Sequence, residues 1–288
     1  MERDGNGWVE CALGHRHWGL HGAAGLLLHT VDADGSLRVL LQHRAEWCHH
    51  GGTWGLPGGA RDSQETVQEA ALREAVEETA LDAEQVRLRH TCVDDHGGWS
   101  YTTVYADSFA RLATVPNEES AALEWVDADR VSSLPLHPGF GHTWPSVQLV
   151  PLTLVIDAAN VVGATPDGWW KDRAGATERL ATEVASTVAR PLDDAAVRGV
   201  VTSVRVVVEG AAREANLPPA VTAVRAPGSG DDAVVATVAD LQGRPGELVV
   251  VTSDRELRDR VAAASTNHAK IRGARWLLDI LDAPERQA

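Results

Sequence analysis

The chain has 288 residues, of which 44% are hydrophobic and 23% are charged. This composition excludes a disordered or fibrous protein, and the length suffices for two domains of about 140 residues each. The net charge of −15 is concentrated in residues 1–150, which carry 22 acidic and 10 basic side chains, whereas residues 151–288 carry 19 and 16. A polyanionic substrate that approaches the first half would need a divalent cation to screen this charge.

Short strands around one helix are predicted for the first half. Apolar, extended segments at 22–30 and 38–44 flank the turn-forming sequence Asp-Ala-Asp-Gly, which predicts a hairpin. After a glycine-rich stretch, apolar residues at helical spacing predict a helix over 65–79. Further strands are predicted at 87–93, 102–109 and 122–126. One helix among mixed strands is an α+β pattern.

A different rhythm is predicted beyond residue 150. Residues 134–151 contain four prolines, which favours a linker over a further helix or strand. Strands are then predicted at 152–156, 204–208, 221–225 and 247–251, and helices at 171–188, 231–241, 254–264 and 274–281. Continuous β-branched strands between helices predict an α/β domain whose parallel sheet is covered on both faces. We therefore assign two domains, residues 1–150 and 151–288.

The cellular compartment is predicted from what the chain lacks. Its longest apolar runs are far shorter than the roughly 20 residues of a membrane span, and its first residues do not resemble a signal peptide. Three cysteines leave one unpaired in any disulfide scheme. We therefore expect a cytoplasmic protein with free thiols and no membrane partner.

The predicted helix at 65–79 carries three carboxylates on one side. Glu74, Glu77 and Glu78 are spaced so that they project from one sector of the helix surface, where they repel one another. A hard divalent cation would relieve this repulsion, because Mg²⁺ is held by a few carboxylates together with substrate phosphates. The alternative is a solvated acidic helix face.

The spacing of these residues resembles the Nudix box, in which a glycine, a glutamate, an Arg-Glu pair and a Glu-Glu pair follow at fixed intervals. The matching residues are Gly59, Glu65, Arg73, Glu74, Glu77, Glu78 and Leu81. The preceding Gly52–Gly59 is similar to the strand and turn that lead into this helix in the family. One position departs from the pattern, since Ala80 replaces the glycine that ends the helix. The resemblance extends over roughly residues 18–140 and implies an α+β Nudix fold.

The Nudix resemblance implies hydrolysis of a pyrophosphate, in a nucleoside triphosphate or in a nucleoside diphosphate linked to another group. Mg²⁺ or Mn²⁺ would be the cofactor, and the nucleotide would be the partner. The implied metal ligands are Glu74, Glu77 and Glu78, with the carbonyl of Gly59 as an additional ligand. Arg73 would hold the glutamates in register, and Glu65 would stabilise the loop before the helix.

The general base and the nucleobase site lie outside the box. Family members use either a box glutamate or an acidic residue of a later loop, so Glu119, Glu118 and Glu124 are candidates beside the box itself. Side chains able to stack on a nucleobase are Trp54, Trp99, Tyr101 and Trp125. The alternative for these aromatic residues is a place in the core.

Two clusters of cysteine and histidine suggest zinc binding. They are Cys11, His15 and His17, and Cys48, His49 and His50. Their spacings match no standard zinc finger. We therefore expect the histidines to face solvent or to lie near the substrate entrance.

Acidic residues follow several predicted strands of the second half. They are Asp157 with Asn160 close behind, Glu209, Asp231, Asp232 and Asp254. Active sites of parallel sheets lie at the carboxyl ends of the strands, which makes these residues candidates for a shared site. The alternative for each aspartate alone is an ordinary helix N-cap.

The same segments resemble the NYN family of PIN-like nucleases, through Ile156–Asn160, Gly230–Ala233 and Val251–Arg255. The resemblance implies that Asp157, Asp231 or Asp232, and Asp254 bind Mg²⁺ or Mn²⁺ and activate water on an RNA phosphodiester. Asn160 would orient the site, and RNA would be the partner of the second domain.

Two further interpretations remain open at this point. The chain can be a nucleotide-sensing regulator, in which the first domain only binds its ligand and the second binds nucleic acid. The intact set of Arg73, Glu74, Glu77 and Glu78 argues against this, because a binding module does not need all three carboxylates. A third interpretation makes the second domain a scaffold for a homodimer.

Overall fold

The computed structural model describes residues 3–165, 168–193, 197–266 and 269–282. The chain divides into two compact units, and the boundary along the sequence lies between Gln148 and Leu149. In the ranges described, we find no helix that combines the length and the apolar character needed to cross a membrane.

The first unit contains a small hairpin, a large sheet and two α-helices. Its strands are β1 (Trp8–Glu10), β2 (Arg16–Trp18), β3 (Ala23–Val31), β4 (Leu37–Arg44), β5 (Trp54–Gly55), β6 (Gly58–Ala60), β7 (Arg87–Asp95), β8 (Ser100–Asp107) and β9 (Ser120–Asp127). Its helices are α1 (Val67–Thr79) and α2 (Pro138–Val147). The predicted strands and the predicted helix at 65–79 are present, and β5 lies in the segment 52–59 for which the resemblance implied a strand and a turn, whereas the short strands β1, β2 and β6 were not predicted.

The large sheet is mixed. Its order is β5-β4-β3-β8-β7, with β6 paired to β3 and β9 paired to β4. Strands β3 and β8 run parallel, whereas the other pairs are antiparallel. This agrees with the α+β pattern predicted from the order of the elements.

Strand β7 forms one edge of this sheet and carries charged side chains. Its register against β8 shifts between Leu88 and Thr91. Arg87 and Arg89 both form ion pairs with Asp107, whose side chain is fully buried on β8. The charged edge of the sheet is therefore tied to the neighbouring strand.

Helix α1 packs on the sheet through small side chains. Thr66 caps its first turn by accepting a 3.2 Å hydrogen bond from the main-chain N–H of Glu69, whose carboxylate accepts one of 2.8 Å from the N–H of Thr66. The fully buried residues of the packed side are Ala70, Ala71 and Ala75, against Leu26, Leu28 and Val104. The glutamates Glu74, Glu77 and Glu78 lie beside this packed side, and only Glu77 is exposed.

Helix α2 corrects the prediction of a linker over residues 134–151. Pro138 occupies the first turn, where its missing N–H costs nothing, and His137 caps the helix. Pro145 removes one internal hydrogen bond. Burial of Phe140, Trp144 and Val147 outweighs this loss, so tertiary packing overrides the proline signal.

The second unit alternates strands and helices. Its strands are β10 (Pro151–Asp157), β11 (Pro191–Asp193), β12 (Arg198–Val208), β13 (Thr222–Arg225), β14 (Glu247–Val251) and β15 (Lys270–Arg272). Its helices are α3 (Ala158–Gly163), α4 (Arg173–Ala185), α5 (Gly230–Asp240), α6 (Arg255–Ala264) and α7 (Ala274–Asp282). The sheet order is β11-β12-β10-β14-β15, with β13 also paired to β12.

Helices cover both faces of this second sheet. On the central strand β10, Leu154 and Ile156 belong to the core shared with α3, α4 and α7, whereas Val155 belongs to the core shared with α5 and α6. The side chains of a strand alternate between faces, so the strand is buried on both. This three-layer arrangement explains the continuous β-branched runs seen in the sequence.

The prediction of a purely parallel sheet is wrong for one strand. β11 pairs antiparallel with the beginning of β12, whereas the other pairs in this sheet are parallel. β12 follows β11 after only four residues, which is too short for the crossover that a parallel pair needs. The sheet of the second unit is therefore mixed.

Candidate functional site

Glu78, in the last turn of α1, has the most buried carboxylate of the acidic helix. The residue is 5% exposed and accepts a 2.8 Å hydrogen bond from the main-chain N–H of Gly58. Burial raises the pKa of Glu78 to about 8, and the charge of Glu74 acts in the same direction, while the bonds from Gly58 and Gln42 oppose the shift. This carboxyl therefore needs a positive charge nearby to stay ionised at neutral pH.

Arg73 connects the loop before α1 to the helix. Its guanidinium donates to both carboxylate oxygens of Glu65 at 2.6 and 2.8 Å, to Glu74 at 2.5 Å and to the carbonyl of Ala60 at 3.1 Å. The bonds to Glu65 are the main cause of a raised pKa of Arg73 and of a lowered pKa of Glu65. Glu65 also accepts from the N–H of Asp62 at 3.1 Å, which ties down the loop.

Glu74 lies against the main chain of β6. A Cβ added at Gly59 would stand 2.7 Å from the Cδ atom of Glu74, so a larger residue at this position would displace the Glu74 carboxylate that Arg73 holds. Burial raises the pKa of Glu74, and the hydrogen bond from Arg73 opposes this shift. The backbone of Gly59 and the carboxylate of Glu74 therefore share one small space.

Glu77 is the most exposed of the three glutamates. Its side chain is 38% exposed, against 16% for Glu74, and it forms an ion pair with Arg3 of the N-terminal segment. A second cation, Arg73, lies 3.8 Å from its carboxylate. The three glutamates thus form a graded series from a buried carboxyl to one at the surface.

Ala80 adopts the left-handed conformation that glycine has in the Nudix pattern. Its φ is 52° and its ψ is 24°, and its N–H donates a 2.8 Å hydrogen bond to the carbonyl of Val76. The departure from the pattern therefore leaves the end of the helix in the expected geometry, at the cost of backbone strain.

The candidates for a general base lie at different positions relative to α1. The N–H of Asn117 donates to the carbonyl of Glu78 at 3.3 Å, which brings the loop with the exposed Glu118 and Glu119 to the end of the helix. Glu124 lies on β9, next to Trp125, whose ring packs on the α1 side of the sheet. Neighbouring side chains on a strand point to opposite faces, so Glu124 points away from α1.

The aromatic candidates are largely packed against neighbouring side chains. Trp54 and Trp99 are each 9% exposed. The ring of Trp54 stacks on His43, and that of Trp99 stacks on His17 with centroids 3.9 Å apart. Tyr101 is half-buried, and loss of hydration raises its pKa, with a smaller effect from Glu78. These contacts favour the core interpretation for the two tryptophans.

Two groups of metal-ligating side chains occur among the described residues outside the acidic helix. In each group the ligand atoms lie within 4.8 Å of one another. They are Cys11, His15, His17 and His96, and His49, His50 and His137. The sequence predicted neither His96 nor His137 as a member, because both lie far along the chain from the rest. The three cysteines are free, as predicted.

Three polar residues meet at one edge of the second sheet. Asp157 ends β10 and accepts from the N–H of Asn160 at 3.2 Å and from the hydroxyl of Thr252 at 2.9 Å. The side-chain oxygen of Asn160 accepts from the N–H of Ser253 at 2.7 Å. Burial raises the pKa of Asp157, with smaller contributions from Asp231 and Glu209. The structure therefore brings the predicted Asp157 and Asn160 together at the carboxyl edge.

The remaining acidic residues of this edge have partners of their own. Asp254 caps α6 by accepting from the N–H of Leu257 at 2.9 Å. Burial and the charge of Asp254 raise the pKa of Asp231, and Arg260 opposes the shift. Arg260 lies 3.9 Å from the carboxylate of Asp231 and forms a closer ion pair with the more exposed Asp232. Asp232 is thus directed towards this arginine, which favours Asp231 as the member of the cluster.

Comparison with known proteins identifies relatives for part of the chain. The family profile described as NUDIX domain matches residues 20–146. A protein of Mycobacterium tuberculosis, named "Putative 8-oxo-dGTP diphosphatase 3", is 52% identical over 157 residues, which are 52% of this chain and 72% of that protein. The "Uncharacterized Nudix hydrolase YvcI" of Bacillus subtilis is 33% identical over 120 residues, 39% of this chain and 72% of its own.

The solved structures include one of similar sequence. It is that of a Nudix hydrolase from M. smegmatis, RenU, with 54% identity, coverage of 50% of this chain and 92% of that chain, and a TM-score of 0.48.

Proposed function

Because the chain belongs to the Nudix family, we propose that it hydrolyses the pyrophosphate linkage of a nucleotide. The observation that carries the proposal is the arrangement at the end of α1, where Glu74 and Glu78 meet the main chain of Gly58 and Gly59. The buried carboxyl of Glu78 and the carboxylate of Glu74 therefore lie against the same stretch of main chain. Such clustering is costly without a cation and is typical of a metal-dependent site.

The donor set fits a divalent metal ion such as Mg²⁺ or Mn²⁺. The neutral donors Gly58 and Gln42 only partly offset the effect of burial on the charge of Glu78, and the carboxylate of Glu74 lies against the backbone of Gly59. Glu74, Glu77, Glu78 and the carbonyl of Gly59 would hold the ion. When bound, the ion would neutralise phosphate oxygens and lower the pKa of the attacking water.

The residues of the chain would divide the remaining work. Arg73 fixes Glu74 through its 2.5 Å bond and ties the helix to Glu65, so the carboxylates keep one geometry as substrate enters. The N–H of Gly58 fixes Glu78. Either Glu78 or the exposed Glu119, whose loop is bonded to the end of α1 through Asn117, would take the proton of the attacking water.

The name of the mycobacterial relative, "Putative 8-oxo-dGTP diphosphatase 3", favours a purine nucleoside triphosphate as substrate. The family resemblance equally allows sugar nucleotides or ADP-ribose. We therefore propose that the substrate is an oxidised purine triphosphate and that the reaction releases pyrophosphate.

A panel assay tests this proposal. The full chain is incubated with Mg²⁺ and oxidised purine triphosphates, ordinary triphosphates, sugar nucleotides or ADP-ribose, and the products are identified by mass. Cleavage of one nucleotide by the chain but not by Glu78→Gln supports the proposal. Nucleotide binding without cleavage of any of them would favour the nucleotide-sensing regulator instead.

For the second unit we propose a metal-dependent phosphodiesterase site that acts on RNA, as in PIN-like nucleases. The supporting observation is that Asp157 and Asp254 follow the neighbouring parallel strands β10 and β14 at the carboxyl edge of the sheet, where Thr252 donates to Asp157. Nearby charges raise the pKa values of Asp157 and Asp231 there. If the unit is a scaffold for a homodimer instead, these residues are expendable. Cleavage of single-stranded RNA with Mn²⁺, and its loss in Asp157→Asn, distinguishes the two.

A further inference from the structure

We propose that one cysteine and three histidines of the first unit bind a zinc ion that fastens the N-terminal hairpin to the sheet. These residues are Cys11, His15, His17 and His96. The set lies outside the box glutamates and has a different chemistry, since thiolate and imidazole are ligands that zinc prefers, whereas Mg²⁺ prefers oxygen.

The distances suit a closed zinc site. The four ligand atoms lie within 4.8 Å of one another, and Nε2 of His17 lies 3.3 Å from Sγ of Cys11. In a tetrahedral site with Zn–S of about 2.3 Å and Zn–N of about 2.0–2.1 Å, the ligand atoms are about 3.3–3.6 Å apart. The pair formed by Cys11 and His17 already has this separation, and small rotations of the imidazole rings bring the others to it.

His96 supplies an independent sign that a ligand is expected. Its Nδ1 atom is buried and has no hydrogen-bond partner among the residues that the structure describes. Its Nε2 atom lies 3.2 Å from a carboxylate oxygen of Asp94. A zinc-bound histidine commonly donates its other ring N–H to a carboxylate, which fixes the ring and its tautomer. His96 has this arrangement, because its Nε2 atom faces Asp94 and its Nδ1 atom is left for a metal ion.

The main chain holds the two contributing turns together. Cys11 and His15 close the turn of the β1–β2 hairpin through a 2.9 Å bond from the N–H of Cys11 to the carbonyl of His15. The N–H of Ala12 donates at 2.8 Å to the carbonyl of Gly97, in the turn that follows His96. The ligands are therefore positioned by backbone before any metal ion binds.

Packing also fixes the ring of His17. It stacks on Trp99 with an interplanar angle of 9°, and the indole N–H of Trp99 donates at 3.0 Å to the carbonyl of Gly19. Cys11 is only 5% exposed, so its thiol is shielded from bulk solvent. A buried thiol beside three imidazoles is a suitable donor set for a structural zinc ion.

The second histidine group is a weaker match and serves as the comparison. His49, His50 and His137 contribute no thiolate, and Nδ1 of His137 already accepts a 3.2 Å hydrogen bond from the N–H of Gly139. His49 and His50 are exposed. We therefore assign zinc to the first group only.

The experiment measures zinc content and zinc affinity of the full chain. The protein is purified without chelator in buffer with excess Mg²⁺, its zinc is quantified by mass spectrometry, and stripped protein is titrated with Zn²⁺ against a chromophoric chelator. We expect one zinc ion per chain. Cys11→Ala should weaken binding by more than about 100-fold, because loss of an outer partner alone costs about 10- to 100-fold. Asp94→Asn, which changes only the outer partner of His96, should weaken zinc binding by about 10- to 100-fold.

Matched variants locate the site. Cys48→Ala and His50→Ala should bind zinc as the parent does, and Glu78→Gln should too, since it belongs to the acidic helix. If Cys11→Ala fails to fold, Co²⁺ bound to the parent chain should give a thiolate charge-transfer band and the d–d bands of a tetrahedral site. A Co²⁺ spectrum without the thiolate band, zinc content well below one ion, or equal zinc affinity in folded Cys11→Ala overturns the proposal.

Discussion

The N–H of Gly58 donates a 2.8 Å hydrogen bond to the carboxylate of Glu78, and this bond joins strand β6 to the last turn of the acidic helix. Because Glu78 is buried beside Glu74, its charge is unfavourable until a cation is bound. Glu78→Gln keeps an oxygen that can accept from Gly58 but removes the charge.

We therefore expect Glu78→Gln to lower kcat by at least about 100-fold, because metal-assisted charge stabilisation supplies several kcal/mol. The thermal midpoint measured with chelator should stay unchanged or rise slightly. Glu69→Gln, on the same helix but within the N-terminal capping box, is the matched control and should affect stability rather than kcat. Parental hydrolysis rates in Glu78→Gln would mean that the metal-site assignment is wrong.

Ala80 gives a prediction about stability. Its left-handed backbone is unfavourable for any residue with a Cβ, by roughly 1–2 kcal/mol, whereas glycine avoids this cost and loses part of the gain through a more flexible unfolded chain. Ala80→Gly should stabilise the protein by about 0.5–1 kcal/mol in urea unfolding. Ala83→Gly, three residues later and without positive φ, should destabilise it. A loss of stability in Ala80→Gly would contradict the strain argument.

The division between Gln148 and Leu149 predicts that the first unit works alone. A chain ending at Val150 retains α1, β6 and helix α2, whose Val147 carbonyl accepts a 2.9 Å bond from the hydroxyl of Tyr105. We expect this shortened chain to melt cooperatively and to hydrolyse the best nucleotide with the parental kcat. A folded but inactive product would mean that the second unit completes the site.

The acidic edge of the second sheet predicts a metal response. Repulsion among Asp157, Asp231 and Glu209 should lower stability, and Mn²⁺ should relieve it, because a ligand that binds only the folded state stabilises it. In a full chain that carries Glu78→Gln, we expect Mn²⁺ to raise the melting temperature. Asp157→Asn should abolish this rise, while Asp240→Asn, at the exposed end of α5, should not. Equal melting curves with and without Mn²⁺ would favour the scaffold interpretation.

The buried His137, which caps helix α2, should make the stability of the protein fall in acid. Burial lowers the pKa of His137 to about 4, with help from the charges of His50, Arg44 and His49. The unfolded chain binds this proton below about pH 6.5 while the folded chain does not, so stability is full above pH 6.5 and falls as the pH drops towards 4. His137→Asn keeps an N-cap acceptor and should reduce this loss in unfolding measured between pH 7 and 4. The exposed His142→Asn should keep the parental pH dependence.

The acidic helix was predictable from sequence because its information is local. Helical spacing alone places Glu74, Glu77 and Glu78 on one side, and the capping residue Thr66 and the small packed residues agree with it. The same holds for β10 and β14, which are continuous apolar runs. Helix α2 was missed because proline is a local signal and the burial that overrides it is not.

The sequence placed Cys11, His15 and His17 in one candidate cluster, but His96 could not be predicted as its fourth member because its position depends on strand register. His96 lies 79 residues after His17, and only the pairing of β7 with β8 and the bond from Ala12 to Gly97 bring the two turns together. Short strands such as β11 and β15 could not be predicted either, because three residues are too few to show the alternation of apolar and polar side chains that marks a strand.

The edge strand β7 has one more consequence, for behaviour at high concentration. An unpaired strand edge can recruit a strand from another molecule, which leads to aggregation. The shifted register between Leu88 and Thr91 interrupts the regular course of the strand, and the charged side chains of Arg87 and Arg89 disfavour pairing with a second strand. This side of the sheet is therefore a poor template for fibrils, and replacing both arginines with apolar residues should turn it into one.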